Sequence, residues 1–413
     1  MTVAGTIQAL LRAAWVSFSD ACDAVVSRVV TATAQAWAWF TAAPHALHGL
    51  AVTRILLGVA IFGEMVSNSF TRDYSYGAKW TGQFAAPSTD FVTFFPYAWV
   101  WLAASHPAGL ALLFGVVAGA AVMLILGVGT RVAIITLLIL WVGLGQLTTF
   151  TADQSDNLIR IALTLLFFTD PSSAFTVRQQ RPLNCPRSAL QNAAHNGALA
   201  ALGAQVCFIY AAGGLYKAGG QAWAQGWAIY DPLHVKQFST WPELADLVTA
   251  WGPGVALMTT LTVLVQMTFP VLLLTGWTRR AALIVLLGFH IGIGILMGLP
   301  WFSISAVAID AVFIRERTWQ RALATLRAAR YRTEHILAHD RPTDSPSELS
   351  PAQRPAPIPV VLTAESTTHR NRVAHARARR LQQRRDRSRR TVRIGFHSDG
   401  NALSAVPDSG TTR

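Results

Sequence analysis

Between Gly197 and Tyr216 the chain runs 20 residues without a charge, and Lys217 follows at once. A helix of about that length is what a hydrocarbon core requires. Lipid offers no partner for backbone N–H and C=O groups, so a spanning segment must satisfy them internally, as a helix does. Comparable apolar runs recur near 51–69, 108–127, 131–150, 156–170, 254–276, 280–299 and 301–314. Together they predict an all-α polytopic integral membrane protein of about eight transmembrane helices. The runs at 156–170 and 301–314 are short for the task. Only 13% of the residues are charged, against about 25% in soluble domains. Cys22, Cys185 and Cys207 are too few and too scattered for a disulfide framework or a zinc site. No metal is predicted. The start of the chain lacks the apolar core and cleavage site of a secretory signal, so the first span is expected to act as one.

Charge placement predicts the orientation. From Arg315 onward there are 20 Arg and 9 acidic residues, net +11, whereas residues 1–314 carry 14 basic and 12 acidic groups, net +2. With a cytoplasmic N-terminus, Arg131, Arg178, Arg181, Arg187, Arg279, Arg280 and the basic tail all fall inside. The positive-inside rule then puts both termini in the cytoplasm of a multi-pass cell-membrane protein. Residues 1–47 place Ile7, Leu10, Leu11, Trp15, Val25, Val29 and Trp37 on an apolar pattern, an amphipathic helix on the inner surface or packed on the bundle. Residues 48–314 form the transmembrane domain and 315–341 a basic juxtamembrane helix. Residues 342–413 read as a disordered Arg-rich cytoplasmic tail, with 11 Arg between 369 and 393. Anionic lipid or an acidic partner is the expected counterpart of that tail.

The three lysines, Lys79, Lys217 and Lys236, all fall on the predicted outer side. Lys217 is followed by Ala218, Gly219 and Gly220, which favour a helix exit. Trp223 and Trp227 come next at i,i+4, so a short helix there would set both indoles on one face. Two readings of Lys217 stand: an end-of-helix lysine snorkelling to headgroups, or a functional amine. The segments 70–107 and 217–249 carry Trp80, Phe84, Phe91, Trp99 and Trp241 among other aromatics, an interfacial belt or a cap over an outward-opening cavity. Polar groups at bilayer depth need a partner or a purpose. His290 and Gln266 lie deep in their spans, while Glu64, Asp156 and Arg160 join Lys217 at outer ends. One outward-facing polar cluster would account for those four. Asp156 and Arg160, at i,i+4, also read as a structural ion pair.

Three stretches bear a resemblance. The run YAAGGLYKAGGQAWAQGWAIY at 210–230 resembles the Tyr, small-residue pair, Gly-x-x-Lys…Trp pattern of the vitamin K-dependent gamma-glutamyl carboxylases and of the related HTTM (horizontally transferred transmembrane) family. DNLIRIALTLLFFTDPSSAFTV at 156–177 and FHIGIGILMGLPWFS at 289–303 are similar to two further blocks of that family. The resemblance covers about residues 48–314. It implies a membrane-embedded enzyme of the lyase class that oxygenates a reduced quinone of the vitamin K type, or carboxylates an exported peptide. It further implies that Lys217 is the base. His290 is expected to share the catalytic site, with Glu64, Asp156, Arg160, Trp223 and Gln266 in the pocket. The chain departs from the carboxylases at 152–158, which reads ADQSDNL where they carry a histidine, and after Ile314, where a basic tail replaces their lumenal domain. Without the resemblance, a non-catalytic scaffold, or a maturation or immunity factor for a secreted peptide, fits the same composition.

The orientation is directly testable. Tags at both termini of the membrane-inserted protein are expected to resist external protease, and cleavage sites near Thr89 and Gln237 to be cut. An exposed C-terminal tag would invert the placement of Lys217.

Overall fold

A computed structural model describes residues 3–77, 93–147, 153–177 and 187–339, with side chains between 15 and 333. Lys79, Trp80, Phe84, Phe91, Arg178, Arg181, Cys185 and the tail from 340 lie outside the described residues. Two units divide the chain, Met1–Glu334 and His335–Arg413.

Every described element is helical. The order is α1 (Val3–Thr41), α2 (Leu47–Asn68), α3 (Arg72–Ser75), α4 (Tyr97–Ala104), α5 (Pro107–Leu126), α6 (Thr130–Leu147), α7 (Gln154–Phe168) and α8 (Ala189–Ala218). Then come α9 (Gln221–Ala224), α10 (Tyr230–His234), α11 (Pro242–Thr249), α12 (Gly252–Leu272), α13 (Gly276–Leu296), α14 (Pro300–Asp310) and α15 (Glu316–His339). Among the described residues, six helices are long and apolar enough to cross a membrane: α2, α5, α6, α8, α12 and α13. The two short runs also fold as helices, but α7 has 15 residues and α14 has 11. Helix α14 continues into a 3-10 turn at Ala311–Phe313.

Helix α2 occupies the centre. It packs against α5 and α14, and more lightly on α7. Leu50, Leu57 and Ile61 on its buried face are fully covered. Helix α8 lies against α12, with Tyr210 edge-on to Phe269 at 4.9 Å between ring centroids. Gly214 is what lets these two backbones meet, because a Cβ there would run into the backbone of Met267. Trp15, Val25, Val29 and Trp37 of α1 are all exposed. Among the described residues, α1 is tied down near its end: the Asn196 amide donates to the carbonyls of Trp39, Phe40 and Ala43, and Asn192 donates to Thr41.

Arg54 holds the centre together. It is fully buried in α2, in a setting where an unpartnered charge is costly. Its guanidinium donates to Pro171 O at 3.1 Å, Ile125 O at 2.8 Å and Phe175 O at 2.7 Å, and also to the carbonyls of Leu124 and Ala174. Helix C-termini leave their last carbonyls without intrahelical donors, and Arg54 supplies those donors at the end of α5. Gly127 fits beside it for two reasons. Its φ of +73° is in the left-handed region, and a Cβ would come 2.9 Å from Arg54 Nη1. One side chain thereby ties α2, the end of α5 and the turn after α7.

Arg54→Leu keeps an apolar stem and leaves the carbonyls of Ile125, Pro171, Ala174 and Phe175 without a donor, at about 1–3 kcal/mol for each buried group left unsatisfied. The thermal unfolding midpoint of the detergent-solubilised protein is expected to drop sharply. Arg54→Lys is expected to recover only part of it, because an ammonium has three donors in place of a planar fork.

Candidate functional site

Lys217 is the last polar side chain of α8, one residue before its end, and Gly219 caps the helix. The amine does not reach outward past the helix end, as snorkelling would require. Nζ donates to Gln266 Oε1 at 2.8 Å. Gln266 is 14 residues beyond Gly252, the first residue of α12, so the contact lies about 20 Å along that helix. Gln266 is itself buried, at 3% exposure. The Trp223 ring faces the amine, with Nζ 5.5 Å from its centroid. Among the described residues no carboxylate forms an ion pair with Lys217; the pairs present are His48–Glu316, Arg187–Asp170 and His234–Asp246.

His290 of α13 is also buried, and it is part of a group the sequence did not announce. Tyr210 Oη lies 3.1 Å from His290 Nε2 and donates to Asp310 Oδ2 at 2.8 Å. Tyr210 precedes Lys217 by seven residues and so shares its face of α8. Asp310 closes α14. His290 sits edge-on to Phe289, and Phe302 lies 6.0 Å away, so the group is walled by aromatic rings. Lys217, Gln266, Trp223, Tyr210, His290 and Asp310 thus draw on α8, α9, α12, α13 and α14.

The expected single cluster divides. Glu64 and Asp156 line a narrow recess with Met65, Tyr76, Trp141, Leu144 and Gly145, a set that does not include Lys217. Asp156 accepts from the Asp153 backbone N–H at 2.9 Å, completing a capping box at the start of α7. Arg160 is exposed and donates to Asn157 Oδ1 at 2.7 Å. The Asp156–Arg160 ion pair is therefore not formed. An orphan N–H at a helix start competes for that carboxylate, and an exposed i,i+4 pair is worth only about 0.2–0.5 kcal/mol. The shared tryptophan face is not formed either. Helix α9 stops at Ala224, Gly226 turns left-handed at φ +83°, and Trp227 bonds Gln225 instead.

At the other end of α8 a cavity of about 410 Å³ is lined by Arg131, Thr169, Asp170, Ser172, Arg187 and His195, among others. Several of its polar groups engage one another. Arg187 bonds Asp170 and Ser173, and Ser172 bonds Thr130. His195 Nδ1 accepts from Asp170 N at 3.1 Å, which leaves Nε2 to donate to His45 O at 2.9 Å. That arrangement reads as a brace for the α1–α2 connection.

Among the described residues, six apolar helices long enough to span a membrane, with a lysine on one hydrogen-bonded to a buried glutamine on another, are consistent with a multi-pass helical membrane protein. The chain belongs to the HTTM domain family, whose model matches residues 43–319. It is thereby a membrane protein of the carboxylase-related family. Comparison with curated proteins and with solved structures returns no match.

Only a neutral amine attacks an acylating reagent, so the partner of Lys217 can be read by labelling. Gln266→Glu replaces the amide by a carboxylate that holds the amine as ammonium. Labelling of Lys217 by a membrane-permeant acylating reagent, followed by peptide mass mapping, is expected to slow about tenfold or more, one pKa unit or more of added stabilisation. Labelling of Lys236 serves as the internal control.

Proposed function

We propose that this protein is a membrane-embedded enzyme resembling the vitamin K-dependent gamma-glutamyl carboxylases, with Lys217 as the base that deprotonates a reduced quinone. The observation that carries the reading is the bond from Lys217 Nζ to the amide of Gln266, at 2.8 Å. A carboxylate partner would hold the amine as ammonium, whereas an amide oxygen accepts a hydrogen bond from the neutral and the charged amine alike. The amine can take up a proton without losing its partner. Trp223, with its ring centroid 5.5 Å from Nζ, then stabilises the ammonium through its π face, by about 0.5–2 kcal/mol depending on desolvation.

A hydrogen-bonding amine, an amide and a flat aromatic face meet at one place, and that set fits a phenolic ring. The reduced quinone supplies the oxidisable ring when bound. The chain's own residues orient a hydroxyl toward Lys217 and receive its proton. Carboxylation of an exported peptide is the further reaction of the same class. In this reading the Lys217 site opens outward, both termini are cytoplasmic, and the Arg-rich tail from 342 to 413 meets anionic lipid or an acidic partner. Glu64 and Asp156, in their separate recess, have no part in this proton transfer.

The test exchanges the lysine. Lys217→Arg keeps the charge but gives up the ability to become neutral, since guanidinium stays protonated in proteins. Lys217→Met keeps most of the stem and removes the charge. Both are expected to insert at normal abundance and to abolish whatever phenotype the intact gene confers, with a loss on the order of the 10²–10⁴-fold attributed to general bases. Full function in the arginine variant would leave a non-catalytic scaffold or maturation factor as the better description.

A further inference from the structure

Tyr210, His290 and Asp310 are each at least nine-tenths buried, at 6%, 4% and 7% exposure. Their hydrogen bonds form a line: His290 Nε2 to Tyr210 Oη, and Tyr210 Oη to Asp310 Oδ2. The outer atom at each end, His290 Nδ1 and Asp310 Oδ1, is buried and has no hydrogen-bond partner among the described residues. Buried polar atoms are rarely left so. A purely structural tyrosine would need only one of these partners, and a buried ionisable aspartate is a costly way to supply it.

We propose that Tyr210 bridges His290 and Asp310 as a proton relay whose two termini are His290 Nδ1 and Asp310 Oδ1. A phenol has one hydrogen and can donate to one neighbour at a time. With that hydrogen on the Asp310 side, His290 Nε2 must carry the proton that it donates to Tyr210 Oη, so Nδ1 is open to accept. A proton arriving at Nδ1 makes the ring an imidazolium. The Nε2 proton then passes to Tyr210 Oη as the phenolic proton passes to Asp310 Oδ2. The outcome is a neutral histidine protonated on Nδ1, a neutral tyrosine and a carboxylic acid at Asp310. One proton has entered, no electrons have moved, and no charge remains on the ring.

The relay gives the Lys217 base somewhere to send what it takes up, and for that role it rests on the function proposed above. Tyr210 lies seven residues before Lys217, about 10 Å along the same helix face. The titratable groups that act on His290 are Tyr210 and Lys217 of α8, and Asp310 of α14 is linked to it through Tyr210. From α12, Phe269 covers the tyrosine ring. Asp310 stands at the end of α14 that leads through the 3-10 turn to α15. That end is cytoplasmic in the predicted orientation.

The relay can be read in the resting full-length protein, without substrate. In lipid nanodiscs, infrared difference spectra recorded across pH report the C=O stretch of a protonated carboxyl and the ring modes of histidine. The wild type is expected to show a carboxylic acid band that titrates together with a histidine mode. Asp310→Asn is expected to abolish that band and to move the midpoint of the histidine mode by about one pH unit or more, the threshold for strongly interacting sites. Tyr210→Phe preserves the ring and its contact with Phe269 while removing the bridge. It is expected to shift the carboxyl frequency and to separate the two midpoints. A carboxyl band that survives Asp310→Asn, or midpoints unmoved in Tyr210→Phe at matched thermal stability, would overturn the relay. Should the phenylalanine variant fail to fold, the histidine midpoint in Asp310→Asn decides alone. Lys217→Met is expected to leave the coupling between the carboxyl and histidine bands in place, so a failed base assignment and a failed relay give different results.

Discussion

A charge inside a bilayer has to be answered by the protein, and Arg54 shows the answer in full. Its guanidinium spends its donors on five main-chain carbonyls from the end of α5 and the turn after α7. Leu124 O also accepts from the Gly127 N–H at 3.3 Å, whereas among the described residues the other four carbonyls have Arg54 as their donor. Neither side is stable without the other. The placement of α5 and α7 against α2 follows from that exchange, and with it the wall on which α14 packs. Asp310 is delivered to its position by α14.

The same rule explains the character of the rest of the interior. Where α8 crosses the connection from α1 to α2, it uses neutral Asn192, His195 and Asn196 to meet exposed carbonyls. Where it approaches α12 it offers Gly214 and then Lys217. On α8, unlike at Arg54, main-chain carbonyls that need a donor receive amides and an imidazole, which carry no net charge to desolvate. The exception on this helix is the amine, and it is given an amide as partner. That choice separates Lys217 from Arg187, whose partner is the carboxylate of Asp170. An ion pair fixes a charge state, whereas an amide leaves it free to change.

Much of the architecture was legible in the residues. Each apolar run lies on a helix, although α8 begins eight residues before its run, because uncharged stretches of spanning length have few alternatives in lipid. The helix exit after Lys217 was legible in its glycines, and the depth of Gln266 and His290 in their positions along the spans. The Asp156–Arg160 spacing was legible too but misled, since a capping requirement at Asp153 took the carboxylate. Asp310 left a faint trace, being the one acidic residue inside the run at 301–314. Tyr210 left less, as tyrosine in an apolar helix is ordinary. Its seven-residue offset from Lys217 was the available clue.

The sequence by itself determined the class of protein, the family and the residue on which attention settles, because length without charge and local spacing are one-dimensional properties. Only the tertiary structure decided which polar groups share a partner. Lys217 and Gln266 are 49 residues apart, Tyr210 and Asp310 are 100, and Arg54 and Phe175 are 121. No periodicity connects such positions. What joins them is the energetic demand that each buried donor find an acceptor, and that demand is met only when the helices have chosen their neighbours.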